Sequence, residues 1–223
     1  MKLLIVDDHP VVRAGLRRLL ATEPELQIAE AASGQEAIGT FCETRPELVL
    51  LDLNLPGISG LEVLGRMLSE DPKARVIVIS MYDNPVYVAR VLEAGARGYV
   101  SKNAPPEQII EAVRRVAAGR SYIEPEMAQE LALGHIRPAS QLSQLSSREI
   151  EILRLLADGS SLTEIAEAIG LSYKTVANQC TQLKAKLATP RMADLIRVAI
   201  SFGFGRGAPE LVASLTARNE AGR

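Results

Sequence analysis

The chain of 223 residues has no Trp, only two Cys, 12 Pro and 16 Gly. Cys42 and Cys180 lie far apart with no paired spacing, so a disulfide scaffold is excluded and both read as reduced thiols. The low Gly and Pro content excludes a collagen-like chain, and 47% hydrophobic with 23% charged residues excludes a wholly disordered one. No apolar run exceeds four residues, Leu3–Val6 and Val76–Ile79 being examples. A membrane helix needs about 20, so no membrane partner is expected. Between Met1-Lys2-Leu3 and Asp7-Asp8 there is no room for the apolar stretch of a signal peptide, which points to a cytoplasmic location. Neither sign of charge dominates, with 25 Lys and Arg against 27 Asp and Glu.

That near-balance hides an asymmetry. Residues 1–135 carry 14 Lys/Arg and 19 Asp/Glu, a net −5, and residues 136–223 carry 11 and 8, a net +3. The length allows one or two domains, and the split suggests two with different partners.

The first 120 residues alternate between two periods. Short apolar runs lie at 3–6, around 26–31, and at 48–51, 76–79 and 98–100. Between them the apolar positions recur at helical spacing, as with Val12, Leu16, Leu19 and Leu20 after Pro10. Ser33 with Glu36 reads as a capping box. Continuous apolar strands imply burial on both faces, so five strand–helix pairs predict a doubly wound α/β domain with a five-stranded parallel sheet. Its ligand crevice lies beyond the carboxyl ends of the strands. Residues 121–144 read as a linker, with a short helix at 126–133. Periodicity is then wholly helical, with capping boxes at Ser146/Glu149 and Ser161/Glu164 and helices at about 173–187 and 190–202. These predict a small all-α domain over 145–204 and a fraying tail over 205–223.

The polar residues at the strand ends are Asp7, Asp8, Asp52, Ser80 and Lys102. The topology gathers them into one crevice. Three close carboxylates repel and call for a hard cation such as Mg²⁺. One of them could then act as a nucleophile towards phosphorus. His9 and His135 have no metal-ligand spacing.

The segments Asp7-Asp8, Leu50-Leu51-Asp52-Leu53-Asn54-Leu55-Pro56-Gly57, Ile79-Ser80 and Gly98-Tyr99-Val100-Ser101-Lys102 resemble the flavodoxin-like receiver domain of bacterial response regulators, over residues 1–120. The resemblance implies that Asp52 accepts a phosphoryl group from a sensor histidine kinase. It implies that Asp8, Asp52 and the Asn54 backbone carbonyl bind Mg²⁺, with Asp7 acting mostly through water. Lys102 and Ser80 would hold the phosphoryl oxygens, and Tyr99 would turn inward as a switch. Asn103 stands where many receivers have Pro.

Residues 162–187 have helix–turn–helix spacing. Val176, Cys180, Leu183 and Leu187 define the buried face of the longer helix, leaving Lys174, Ala177, Asn178 and Thr181 opposite. By composition alone that face reads equally as the solvated side of a bundle. Leu145-Ser146-Ser147-Arg148-Glu149-Ile150, Glu164-Ile165-Ala166, Gly170-Leu171-Ser172 and Lys174-Thr175-Val176 resemble the LuxR-type DNA-binding domain. With a receiver, this is the NarL/FixJ type of response regulator. The resemblance implies contacts to double-stranded DNA from Lys174, Thr175, Asn178, Gln179, Thr181, Gln182 and Lys184. It also implies a homodimer on DNA through Met192, Leu195, Ile196 and Ala199.

The expected function is therefore a transcription regulator under phosphorylation control, and not an enzyme. Within 145–200 there are only seven Lys/Arg against six Asp/Glu, which predicts weak binding with a shallow salt dependence. Two alternatives stand beside it. One is a regulator with a weakened helix–turn–helix that acts mainly through protein partners. The other is an aspartate-nucleophile phosphatase, which would place its nucleophile on the first strand, whereas the central Asp here ends the third.

Overall fold

In the computed structural model, residues 1–23, 26–81, 85–132, 144–202 and 204 are described. The chain divides into two units, Met1–Ile136 and Arg137–Arg223. Residues 133–143 of the expected linker, His135 and the expected tail over 205–223 lie outside the described residues.

The first unit runs β1 (Lys2–Val6), α1 (Pro10–Leu20), β2 (Gln27–Ala31), α2 (Gly34–Thr44), β3 (Leu48–Asp52), α3 (Gly60–Glu70), β4 (Val76–Ser80), α4 (Pro85–Glu93), β5 (Gly98–Ser101), α5 (Pro106–Ala117), β6 (Tyr122–Ile123) and α6 (Pro125–Ala132). The sheet order is β2-β1-β3-β4-β5-β6 and every pairing is parallel. The strand order reverses between β1 and β3, which is where a doubly wound sheet opens its ligand crevice.

The sheet has six strands, one more than the sequence pattern predicts. β6 is two residues long and pairs Tyr99 with Ile123, too short to show a period. It falls at the start of the stretch expected to be a linker, and the Tyr122 N–H donates to the Arg97 carbonyl at 3.0 Å.

Local chemistry sets the helix starts. Pro10 occupies the first turn of α1, where its missing N–H has no partner to lose. At α2, Ser33 Oγ accepts from the Glu36 N–H, but the Glu36 carboxylate accepts from the Ala32 N–H at 2.7 Å rather than from Ser33. The predicted box is therefore closed one residue early. β3 and β4 are buried along their whole lengths. On one face Leu3, Ile5, Leu50, Ile77 and Val100 pack against Leu16 and Leu20 of α1 and Ile109, Val113 and Val116 of α5.

The second unit contains α7 (Ser147–Ala157), α8 (Leu162–Ala168), α9 (Tyr173–Lys186) and α10 (Met192–Ser201). Both predicted capping boxes form with the expected reciprocity, Ser146 with Glu149 and Ser161 with Glu164. Gly170, at φ +66°, makes the left-handed turn between α8 and α9, and Ser172 Oγ caps α9 by accepting from the Thr175 N–H.

One glycine seats a helix directly on a strand end. A Cβ at Gly60 would lie 2.3 Å from Leu53 Cα and 2.8 Å from the Asp52 carbonyl oxygen, whereas a Cβ at Gly65 of the same helix meets nothing within 4 Å. Gly60→Ala is expected to cost about 1–3 kcal/mol through overpacking. Gly65→Ala is expected to stabilise by about 0.5–1 kcal/mol through helix propensity. Urea unfolding of the two variants checks the opposite signs.

Candidate functional sites

In register, Val6 of β1 pairs with Leu51 of β3, and Asp52 pairs with Ile79 of β4. Asp7 and Asp52 therefore leave the sheet at one level on either side of the switch point. Both are 1% exposed. Ser80 pairs with Ser101 at the end of β5, and the Lys102 N–H donates to the Ser80 carbonyl at 2.7 Å. That bond directs the Lys102 side chain towards the acidic pair. Its Nζ lies 2.6 Å from Asp7 Oδ2 and 2.7 Å from Asp52 Oδ2.

The remaining oxygens have distinct partners. Asp52 Oδ1 accepts from the Asn54 N–H at 3.1 Å. Asp7 Oδ1 accepts from the His9 N–H at 2.9 Å, and the Asp7 carbonyl accepts from Arg13 Nη1 at 2.6 Å. His9 Nδ1 hydrogen-bonds Asp7 Oδ1 at 3.2 Å and lies 2.7 Å from Asp8 Oδ1, which is a buried oxygen without a hydrogen-bond donor. Burial pushes the Asp52 carboxyl above the ordinary carboxylate range. The Lys102 ammonium and the Asn54 N–H pull it back, and Asp7 pushes it further up. Burial works against the Lys102 ammonium, yet Asp52 and Asp7 together hold it above the usual lysine range.

Asp7, Asp8, Asp52 and His9 each place one ligand atom within 4.8 Å of the others. Three carboxylates and an unpartnered buried oxygen fit a hard, oxygen-preferring cation. Ligand spacing gives His9 no role because it contributes from the residue after Asp8, a step that no His-x-x-His pattern captures. Arg13 was also missed. It reaches back from α1 to the Asp7 carbonyl while its Nε pairs with Glu30 at 3.3 Å.

Among the switch residues, Ser80 is fully buried at the end of β4 and Tyr99 is 1% exposed within β5. Tyr99 therefore points into the domain and is not a surface edge aromatic. The described residues contain no cis peptide bond, so Lys102–Asn103 is trans.

In the second unit Val176, Cys180 and Leu183 face the core, with Leu187 following as the C-cap. Lys174, Thr175, Asn178, Thr181 and Gln182 are exposed, while Gln179 and Lys184 are half-buried. Two expected donors are already engaged locally. Thr181 Oγ1 donates to the Ala177 carbonyl at 3.1 Å, and Thr175 Oγ1 lies 2.8 Å from Ser172 Oγ. Lys186 is tied to Glu149 at 2.9 Å, joining the end of α9 to the capping box of α7. Glu149 is buried, which acts to raise its pKa, but its bonds to Lys186 and Ser146 hold it below the ordinary range.

The expected pairing face of α10 needs correction. Leu195 and Ala199 are 0% exposed and form part of the unit's own core, where α10 packs on α7. Leu195 and Ala199 are i, i+4 and so share one stripe, and that stripe faces inward. Met192 and Ile196 are half-buried, and Ala193 and Arg197 are exposed.

Comparison with known proteins agrees with this geometry. Residues 3–114 match the response regulator receiver domain, and residues 143–199 match the bacterial regulatory proteins of the luxR family. The chain is 42% identical over 211 residues to the transcriptional activator protein ExaE of Pseudomonas putida, covering 92% of this chain and 99% of that one. It is 35% identical to the response regulator UvrY of Escherichia coli K12, with 91% and 95% covered. Among solved structures, RcsB of Salmonella enterica serovar Typhimurium bound to promoter P1flhDC with phosphomimetic BeF3- superimposes with a TM-score of 0.68 at 26% identity, covering 90% of this chain and 98% of that one. The chain belongs to the two-component response regulators that join a receiver domain to a LuxR-type DNA-binding domain. Nothing in these relationships favours a phosphatase or a regulator that acts mainly through protein partners.

The surroundings of Asp52 disfavour its ionised form on balance, so a neutral side chain of the same shape suits the pocket better when no cation is bound. Asp52→Asn is expected to raise the melting temperature in EDTA at pH 7. Thermal unfolding followed by circular dichroism checks this, and a lower midpoint than wild type would show that Lys102 outweighs burial.

Proposed function

We propose that Asp52 is the phosphoryl acceptor and that its modification controls the DNA-binding unit. The observation that carries this is the buried acidic cluster at the switch point, with one ammonium bridging Asp7 and Asp52 and one Asp8 oxygen left without a donor. Phosphorylation forms a bond from an Asp52 carboxylate oxygen to phosphorus as the phosphorus–nitrogen bond of the kinase's phosphohistidine breaks. Asp8, Asp52 and the Asn54 backbone carbonyl would hold Mg²⁺, with Asp7 acting through water. When bound, that ion supplies the positive charge that offsets the carboxylates and the phosphoryl oxygens. Lys102 is positioned to leave Asp52 Oδ2 for a phosphoryl oxygen and the Ser80 hydroxyl to donate to another, while Tyr99, already buried, needs no inward turn.

Partners in this reading are a sensor histidine kinase, double-stranded DNA and a second copy of the chain. Among the described residues, no helix is long and apolar enough to cross a membrane. Lys174, Thr175, Asn178, Gln179, Thr181, Gln182 and Lys184 would face DNA, with α9 in the major groove. Pairing through α10 would use Met192 and Ile196, with the buried Leu195 and Ala199 supporting them from within.

Incubation with a small phosphodonor and Mg²⁺ is expected to label the wild type and not Asp52→Asn, as read by intact mass or phosphate-affinity gel. Equal labelling of the variant would remove Asp52 from the role.

On α9, Lys174 and Lys184 are the cations with no ion pair among the described residues, giving four in a dimer. At about −0.9 per phosphate neutralised, log Kd against log salt should have a slope of roughly 3–4, a loss of about a hundredfold in affinity between 50 and 200 mM. Fluorescence anisotropy across that range measures it, and a slope above about 6 would mean that other cations reach the backbone.

A further inference from the structure

Tyr173 is one of three large hydrophobic side chains exposed in the described chain, at 56%. It is the first residue of α9, directly after the capping Ser172. Large aromatics bury area readily and carry a polar tip, so one left in solvent on a binding helix asks for a partner. Among the described residues it has none of the ring contacts that tie Phe202 to Phe204.

Its position says what that partner would be. Positions 173, 177 and 184 are spaced i, i+4 and i+11, so Tyr173, Ala177 and Lys184 share one flank of α9. Lys174 and Thr181 lie next to that flank, towards the face opposite the core. Ala177 is a small side chain one turn along, so it leaves the ring open on that side. The hydroxyls of Ser172 and Thr175 are occupied with each other and with the helix cap. Both cations of α9 without an ion pair, Lys174 and Lys184, lie on or beside this flank, so its charge suits a polyanion. The flank lies away from the centre of the groove-facing side, which places Tyr173 over the groove wall and not over base edges.

We propose that Tyr173 is a positioning residue for DNA binding. Its ring packs on a deoxyribose and its hydroxyl donates to a backbone phosphate, which adds a neutral contact where the helix has few cations. This rests on the DNA-binding reading above, and the experiment separates the two.

The full-length protein is titrated, by fluorescence anisotropy at several salt concentrations, into a labelled duplex recovered by selection from genomic fragments. Tyr173→Ala is expected to weaken binding tenfold or more at every salt concentration and to leave the salt slope unchanged, because no counterion is released by a neutral contact. Tyr173→Phe keeps the ring and is expected to lose only about twofold to fivefold. Lys174→Ala, by contrast, should flatten the slope. Melting curves of both tyrosine variants should match wild type, since the side chain is exposed. Wild-type binding with both tyrosine variants within twofold of it overturns the role of Tyr173. Failure of the wild type to bind any recovered duplex overturns the DNA-binding reading, and this proposal with it.

Discussion

The Lys102 ammonium holds the acidic end of the sheet together. Asp7 and Asp52 are each 1% exposed and lie on adjacent strands, so their carboxylates share a poorly solvated space. Placed at 2.6 and 2.7 Å from them, one cation offsets two anions. Removing that ammonium would typically cost about 3–5 kcal/mol, because the two buried carboxylates would then face each other without compensation. Everything else at the site is arranged around this contact. Gly60 lets α3 approach the Asp52 carbonyl, Arg13 fixes the Asp7 carbonyl, and the β4–β5 ladder delivers Lys102. The same contact does not reach Asp8, whose Oδ1 has the His9 ring beside it but no hydrogen-bond donor, which leaves the pocket able to take a cation.

The second unit depends on capping more than on charge. Each of α7, α8 and α9 begins with a serine whose hydroxyl accepts from a backbone N–H three residues on. Each such cap is worth about 1 kcal/mol, and together they fix where the short helices begin. Among the described residues, most of the basic side chains make contacts within the unit. Arg154 is buried between Glu151 and Asp158, Lys186 clamps Glu149, and Arg191 and Arg197 share Asp194. A basic count taken from composition therefore overstates what a nucleic acid would meet.

Much of the fold was legible because its signals are local or repetitive. Apolar runs such as Val76–Ile79 and the serine caps need no knowledge of distant residues. The acidic site was legible because a parallel sheet sends every strand end to one edge, which turns a pattern along the chain into a cluster in space. What escaped depended on short elements or on long-range pairing. β6 has two residues and no period, so it hid in a Pro- and Gly-containing stretch. Glu36 closing its cap on Ala32, Arg13 reaching the Asp7 carbonyl and His9 joining the carboxylates are each decided by side-chain reach. The pairing stripe on α10 was misread for a different reason. Helical spacing finds an apolar face, but it does not say whether that face meets its own core or a second copy.

The sixth strand also fixes how the chain enters α6, the last helix of the first unit. Tyr122 and Ile123 are laid alongside Gly98 and Tyr99, and the Glu124 carboxylate accepts from the Ser101 N–H. Three consecutive residues just before α6 are thus fastened to the strand that carries Tyr99 and runs into Lys102. In the proposed switch, a shift of that strand would reach the start of α6 through hydrogen bonds alone, with no free residue between them.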